Sequence, residues 1–475
     1  MFTYLLDPFV VIFAVYSLIY WLFVDHTPKK LDDDHFVMFE GSVYNLKNFN
    51  HPGGNEIIRT FSGRDVTLLV HSYHMNVKNV RSLLTKYKIT DPDELAKADE
   101  ILKPNKLNVT FDSYDSSCYD AMKQRVVKET NKDWMMDWTM VLKFVVCAFG
   151  YILGWRNIIL SKSVISILFW VLVSAICHNM IDMNVMHDGS HYALSKNKYI
   201  RKFGVMVGYI MGGPVGFFWL YGHALYHHTL TGVEDLDPEL QLMYPILRTY
   251  QYQKRYWFHR FQTFYAPFMY IHAGLALLLG DILSFIRKEI TSLINPVTSQ
   301  GHLTLKTPQE SREIYFYAST KIMFFIMWLL VPMCVHGVLM GSIMCYLFIV
   351  LTGIMVLSQF GIGHVVETDL SNSDTETSLE NSKGHFRDID EWTDHQIRHT
   401  ADFNSENFVV TNLTGGINNQ ILHHLFPGVA HRCFPKLIKI VKDHCTERKV
   451  PYNDKPFIDQ WRSHFSRLNR LGRED

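Results

Sequence analysis

His187 and His191 stand four residues apart in MHDGSHY, and His223, His227 and His228 follow in WLYGHALYHH. His423 and His424 close the set in NNQILHHLFPG. Neutral imidazole suits iron, copper or zinc, so these three groups form a candidate metal centre. Residues i and i+4 share one face of a helix, which lets an HxxxH spacing offer two ring nitrogens to one ion. An adjacent third histidine points elsewhere and can reach a second ion. Taken singly, a histidine pair near a helix end is more often solvated or hydrogen-bonded within the protein. Three groups change this balance, because each abuts an apolar segment, where polar side chains are costly unless they have a task.

A second kind of chemistry is suggested by His51 in HPGG and His74 in SYH. Helical segments between them can bring the two rings to a metal from opposite faces. Haem iron takes such a bis-imidazole arrangement when both axial positions are filled and dioxygen is kept off. Gly53 and Gly54 permit a sharp turn and close backbone approach. By itself HPGG reads equally well as a plain turn, and His71 competes with His74 for the second position.

These residues need elements to position them. The run PFVVIFAVYSLIYWLFV at 8–24 lacks the basic start and small-residue cleavage site of a signal peptide, so residues 1–27 are expected to be an uncleaved hydrophobic anchor. Lys29 and Lys30 follow it and place the next segment on the cytosolic side by the positive-inside rule. Residues 28–95 are expected to form a small α+β domain and 96–137 a linker; 138–440 would form an α-helical multi-span membrane domain and 441–475 a cytosolic tail. Apolar runs lie at 138–155, 163–177, 203–221, 266–286, 321–340 and 341–360, near the length that spans a bilayer. Keeping all three histidine groups on one side requires 203–221 to lie in the interface. It also requires 266–286 to be interfacial or re-entrant, since 321–340 and 341–360 form the cleaner hairpin. About four core spans result.

Composition narrows the partners. Lys+Arg and Asp+Glu are both 46, for a formal net charge of zero, which argues against nucleic acid. The seven cysteines are scattered with no CxxC pair, which fits a reducing compartment and argues against a zinc ribbon or a disulfide scaffold. No GxGxxG strand–helix unit stands out for a nicotinamide cofactor.

The string VYNLKNFNHPGG…FSGRDVT…SYH resembles the cytochrome b5 domain, although Val70 stands where that family usually has phenylalanine. The resemblance implies one haem b on His51 and His74. HDGSH, HALYHH and QILHH resemble the three histidine boxes of membrane fatty acid desaturases, with EDLDPEL, EWTDHQIRHTADF and GGINNQILHHLFP in support. A fused haem domain, together with Gln420 as the first residue of the third box, is similar to the front-end subgroup. Two features depart from that pattern. Box two has three residues before its paired histidines, where most front-end members have two, and the hydrophobic run before the haem domain is atypical.

The resemblance implies two non-haem iron ions held by His187, His191, His223, His227, His228, His423 and His424. It also draws in His364, in FGIGHVVE, and Gln420. An amide oxygen can ligate iron, or the side chain can hydrogen-bond a neighbouring ligand; both readings of Gln420 stay open. Asp188, Asp235 and Asp237 sit beside boxes and could orient imidazole N–H groups, or could be solvated. The implied reaction removes two hydrogens from adjacent methylenes of a fatty acyl chain, carried by coenzyme A or a phospholipid, on the carboxyl side of an existing double bond, at position 5, 6 or 4, with 8 also open. Dioxygen would be the co-substrate. Electrons would come from NAD(P)H through a separate cytochrome b5 reductase. The implied location is the endoplasmic reticulum membrane, with the haem domain and boxes facing the cytosol. A sphingolipid long-chain-base desaturase, a di-iron lipid hydroxylase and, remotely, a non-catalytic electron carrier are the alternatives.

Overall fold

The structure, a computed structural model, describes residues 33–103, 109–211, 219–234, 236–239, 243–287, 310–367 and 383–474. The expected anchor at 1–27 and Asp235 lie outside the described residues.

Two short strands open the described chain. β1 (Phe36–Phe39) pairs antiparallel with β2 (Ser42–Asn45), with Phe36 opposite Asn45. Glu40 and Gly41, both at positive φ, make the turn between them. β3 (Arg64–Asp65) runs parallel on the other side of β1. The helices α1 (Asn55–Phe61) and α2 (Thr67–Tyr73) close over this sheet. Val37, Phe39, Leu46, Ile58, Val66 and Val70 share their core. The helix Pro92–Leu102 runs across the boundary expected at residue 95. Asp91 caps it by accepting from the Glu94 N–H, and it buries Ala98 and Leu102 with Phe36.

Among the described residues four helices are long and apolar enough to cross a membrane: α3 (Trp138–Leu160), α4 (Val164–Ser190), α8 (Ala318–His336) and α9 (Val338–His364). Asp137 starts α3 by accepting from the N–H groups of Thr139 and Met140, a capping contact of the kind that fixes helix ends. These spans expose large apolar side chains, among them Val146, Phe149, Ile165, Phe169 and Leu339. Such faces are stable against lipid and unstable against water. The last hairpin breaks at Gly337, three residues before the expected break, where φ is +85° and a side chain would be strained.

Of the run expected at 203–221, residues 212–218 lie outside the described residues; α5 (Lys198–Met211), which carries its first part, is 14 residues long, about 21 Å at the helical rise. The run expected at 266–286 is two helices, α6 (Gln262–Ile271) and α7 (Ala273–Arg287), and the pair is bent by 68°. Beyond the bend, Gly274 of α7 lies against Gly353 of α9, so close that a Cβ on Gly274 would fall 2.2 Å from the Ile349 carbonyl oxygen.

Past α9 the chain folds over the ends of the spans. The helices Ile389–Arg398, α10 (Gln420–Leu425), Phe434–Arg448 and Phe457–Arg473 build a polar-surfaced layer. Its core contains Trp392, Phe426, Leu437 and Val441, and Leu68 of α2 is part of the same cluster. The small amino-terminal domain is therefore packed directly onto the layer that carries the third histidine group.

Candidate metal centre and haem site

α4 does not stay α-helical to its end. Residues Asp182–Met186 form one π-helical turn immediately before His187, a wider geometry common at functional sites. The second histidine group is also π-helical, over Trp219–His227. The HxxxH pair of box two does bring His223 and His227 within reach of one ion, together with Glu239, but the π-helical pitch also gives each ring a second neighbour. In a π-helix residue i+5 lies one turn above residue i. The Nε2 atoms of His223 and His228 accordingly lie 3.2 Å apart. His227 Nε2 turns instead toward His364 Nε2, at 3.2 Å.

The result is two adjoining nitrogen sets. His187, His191, His223 and His423 bring ligand atoms within 4.8 Å of one another, as do His227, His364 and His424. His228 lies between them, its ring stacked on His424 at 4.2 Å and 4.4 Å from His423. Gln420, fully buried, points its amide at His364 Nε2 (2.7 Å) and His424 Nε2 (3.3 Å). Every expected ligand of the boxes is thus gathered in one buried site together with His364 and Gln420.

Five of these histidines are held by their outer nitrogen. Tyr73 Oη lies 3.0 Å from His191 Nδ1, and Glu239 Oε1 lies 2.7 Å from His223 Nδ1. Asp237 accepts from His227 Nδ1 at 3.0 Å, the His399 carbonyl from His364 Nδ1 at 3.2 Å, and Gln396 Oε1 from His424 Nδ1 at 3.2 Å. Holding Nδ1 fixes the tautomer and aims the Nε2 lone pair inward. Burial and the neighbouring imidazoles hold His191, His223, His228, His423 and His424 neutral, well below the usual histidine range. His227 differs: burial opposes its charge, but Asp237 and Glu239 outweigh it and raise its pKa to about 9. Burial pushes Glu239 up to about 7.

The buried atoms His191 Nε2, His423 Nε2 and Gln420 Oε1 have no hydrogen-bond partner. Orphaned buried polar atoms cost about 1–3 kcal/mol each, and an ion bound by them removes that cost. All-nitrogen sets with one amide suit a first-row transition metal such as iron.

Of the expected orienting carboxylates, Asp237 touches a box histidine directly. Asp188 accepts from His431 Nδ1 at 2.8 Å and lies 3.9 Å from His187 Nδ1. Glu239 was missed by sequence reasoning. Its second oxygen lies 3.6 Å from His227 Nε2, so one carboxylate touches both sets. The signal was present in EDLDPEL, where Glu239 follows Asp237 by two residues.

In the small domain the rings of His51 and His74 lie 6.1 Å apart and nearly perpendicular. Two imidazoles on opposite sides of one metal, at about 2 Å per bond, have ring centres roughly 6–6.5 Å apart, so the pair fits an axially ligated haem. His74 Nδ1 donates to the Val70 carbonyl at 3.2 Å, which leaves Nε2 for a metal. Burial, with the charges of His74 and Arg201, lowers the His51 pKa to about 4 and keeps that ring neutral. His71 is buried elsewhere, with Nε2 on Glu40 at 2.9 Å, and does not face His51.

A multi-span helical membrane domain, a paired imidazole centre at the ends of its spans and an appended bis-histidine domain define a membrane redox enzyme. The profile of the fatty acid desaturase family matches residues 162–456, more than half the chain, and the chain belongs to that family. The cytochrome b5-like heme/steroid binding domain matches residues 24–92. An acyl-lipid (8-3)-desaturase of Physcomitrium patens is 30% identical, with 92% of this chain and 88% of the relative aligned. A probable Delta(5) fatty acid desaturase C of Dictyostelium discoideum is 24% identical over 94% of this chain and 93% of its own. An acyl-lipid (8-3)-desaturase of Mortierella alpina is 24% identical over 92% and 94%. The protein is a membrane-bound oxidoreductase acting on fatty acyl chains.

Proposed function

We propose that this chain introduces a double bond at position 5 of a polyunsaturated acyl chain carried on a lipid, on the carboxyl side of an existing bond. The position and carrier rest on relatives named Delta(5) and acyl-lipid (8-3) desaturases. The observation that carries the chemistry is the inward set of Nε2 atoms, with Nδ1 of His191, His223, His227, His364 and His424 each held by a partner. In this reading His187, His191, His223, His227, His228, His364, His423 and His424 hold two iron ions, with Gln420 at the second.

Unactivated methylenes have no acidic proton, so no side-chain base can start the reaction. The iron pair, when bound, supplies the oxidising chemistry with dioxygen. The balance is two hydrogens from adjacent carbons, two electrons and two protons against one dioxygen, giving the alkene and two waters. The electrons would come from NAD(P)H through a separate reductase, and His51 and His74 would hold the haem that relays them. Asp237, Glu239, Gln396 and the His399 carbonyl keep the imidazoles aimed. The apolar spans place the acyl chain in lipid beside the site, and burial of the box residues excludes bulk water. By the positive-inside rule the haem domain and boxes face the cytosol of the endoplasmic reticulum.

The test is lipid analysis of yeast expressing the full chain and fed a 20-carbon acid whose first double bond is at carbon 8. A new bond at carbon 5, located by mass spectrometry of derivatised fatty acids, is the expected result. A new bond on the methyl side, or no new fatty acid from chain loaded with haem and iron, would overturn it.

A further inference from the structure

Tyr73 ends α2 in the haem domain and is bonded to His74. Its hydroxyl reaches out of that domain to His191 Nδ1 at 3.0 Å and to the Ala224 carbonyl at 3.2 Å. Its ring meets Tyr192 edge-on at 6.5 Å, and a Cβ on Gly428 would be in ordinary contact with it at 3.6 Å. One residue of the small domain therefore touches the segments that carry the first two histidine groups and lies beside the segment that carries the third.

Counting protons fixes how this contact works. A phenol has one hydrogen to donate and can also accept. The Ala224 carbonyl can only accept, so Tyr73 donates to it. His191 Nδ1–H must then donate to the phenol oxygen, which leaves His191 Nε2 as a lone pair. That atom has no partner and lies within 4.8 Å of ligand nitrogens of His187, His223 and His423. The opposite polarity would put the hydrogen on Nε2, pointing into the nitrogen set, where it would block a metal.

We propose that Tyr73 is a positioning residue that holds His191 in its metal-binding tautomer, and that it links the haem to the iron centre by one peptide neighbour and one hydrogen bond. The proposal rests on the reading above, in which His74 binds haem iron and His191 binds non-haem iron. The haem domain thereby completes the metal centre as well as feeding it. His74 would hold the haem and His191 a non-haem iron, so the path between them would carry one electron at a time, two per double bond, with dioxygen as the final acceptor. Two further contacts hold the domain in this pose: Arg64 donates to the Tyr226 hydroxyl, and Arg201 donates to the Gly53 carbonyl.

The test uses the purified full chain and Tyr73→Phe, which removes one oxygen and leaves the ring in place. Three quantities are measured: the haem absorption spectrum, iron affinity by competition with a chromogenic chelator, and reoxidation of pre-reduced haem by stopped flow with dioxygen and lipid substrate. The expected result is an unchanged haem spectrum, iron affinity lowered about 10–100-fold, as for loss of other imidazole-orienting partners, and several-fold slower haem reoxidation at saturating iron. Arg64→Ala, which loosens the same interface without touching His191, should leave iron affinity unchanged. Equal iron affinity and equal reoxidation in Tyr73→Phe and the parent would overturn the proposal. So would loss of haem together with iron, which marks a packing role, or an equal fall in iron affinity in Arg64→Ala, which marks docking alone. A parent chain without non-haem iron would overturn the metal reading itself, an outcome distinct from the others.

Discussion

Replacing Gln420 by leucine should leave the metal-free protein nearly as stable as before and weaken the metal-bound one. His364 Nδ1 donates to the His399 carbonyl at 3.2 Å, so its Nε2 is a lone pair, and the Gln420 amide N–H at 2.7 Å donates to it. Gln420 Oε1 is meanwhile buried without a partner. An ion bound by His227, His364 and His424 takes those lone pairs and leaves the N–H facing a cation. Half a turn about the last side-chain bond exchanges the two ends of the amide. The orphaned oxygen then faces the ion, directly or through a water. Leucine keeps the bulk and removes both ends. The metal-free chain loses an unsatisfied acceptor worth about 1–3 kcal/mol, set against two lost amide-to-imidazole bonds, to His364 and His424, of about 1 kcal/mol each. Its melting temperature should change little. The loaded chain loses a ligand or ligand-orienting group, about 10–100-fold in affinity, or roughly 1.4–2.8 kcal/mol. The assay is anaerobic ferrous titration of the full chain in detergent against a chromogenic chelator, with thermal melting before and after loading. A Gln420→Leu chain that holds two non-haem irons as tightly as the parent would refute this reasoning.

Two further outcomes are expected. Because His227 has its pKa raised to about 9 by Asp237 and Glu239, the metal-free chain carries a proton there at neutral pH, and metal binding must expel it. Iron affinity should climb about tenfold per pH unit and level off above pH 9. Glu239→Gln removes one of the two charges and should start the plateau at lower pH; the same chelator titration repeated from neutral to alkaline pH reads it. In the haem domain, His74→Ala should abolish the haem absorption band. His71→Ala should retain it while losing about 1–3 kcal/mol of stability, because it leaves Glu40 with Arg81 as its remaining partner of the two.

Much of this architecture could be read from spacing. Apolar runs of bilayer length mark the four spans, and parity of crossings singled out 266–286, which is the pair of helices bent by 68°. The histidine groups were legible because imidazoles beside apolar helices are rare without a task. What spacing could not carry was the helical pitch. HALYHH looks like an α-helical i, i+4 pair, and it is the π-helical turn of Trp219–His227 that also joins His223 to His228 and brings His227 to His364. Contacts between distant segments were equally hidden. Nothing local to SYH shows that Tyr73 meets His191, 118 residues away, and Gln396 and His399 reach the site from a helix whose own pattern is simply amphipathic.

The partners of the imidazoles also divide the site unequally. Both carboxylates that meet box histidines at Nδ1 within hydrogen-bond distance belong to box two, Glu239 on His223 and Asp237 on His227. His364 and His424 donate instead to neutral oxygens, a backbone carbonyl and an amide. A carboxylate acceptor makes an imidazole a more basic ligand than a neutral acceptor does. The second set therefore grades from its strongest donor at His227, through His364 and His424, to the amide of Gln420. Catalytic metal sites keep one position open or weakly held for a reacting molecule, and this gradient puts that position on the Gln420 side. A histidine there would close the set with a fourth strong nitrogen. Gln420→His should accordingly bind iron at least as tightly as the parent while losing turnover, which separates the exchange role of the amide from its contribution to affinity.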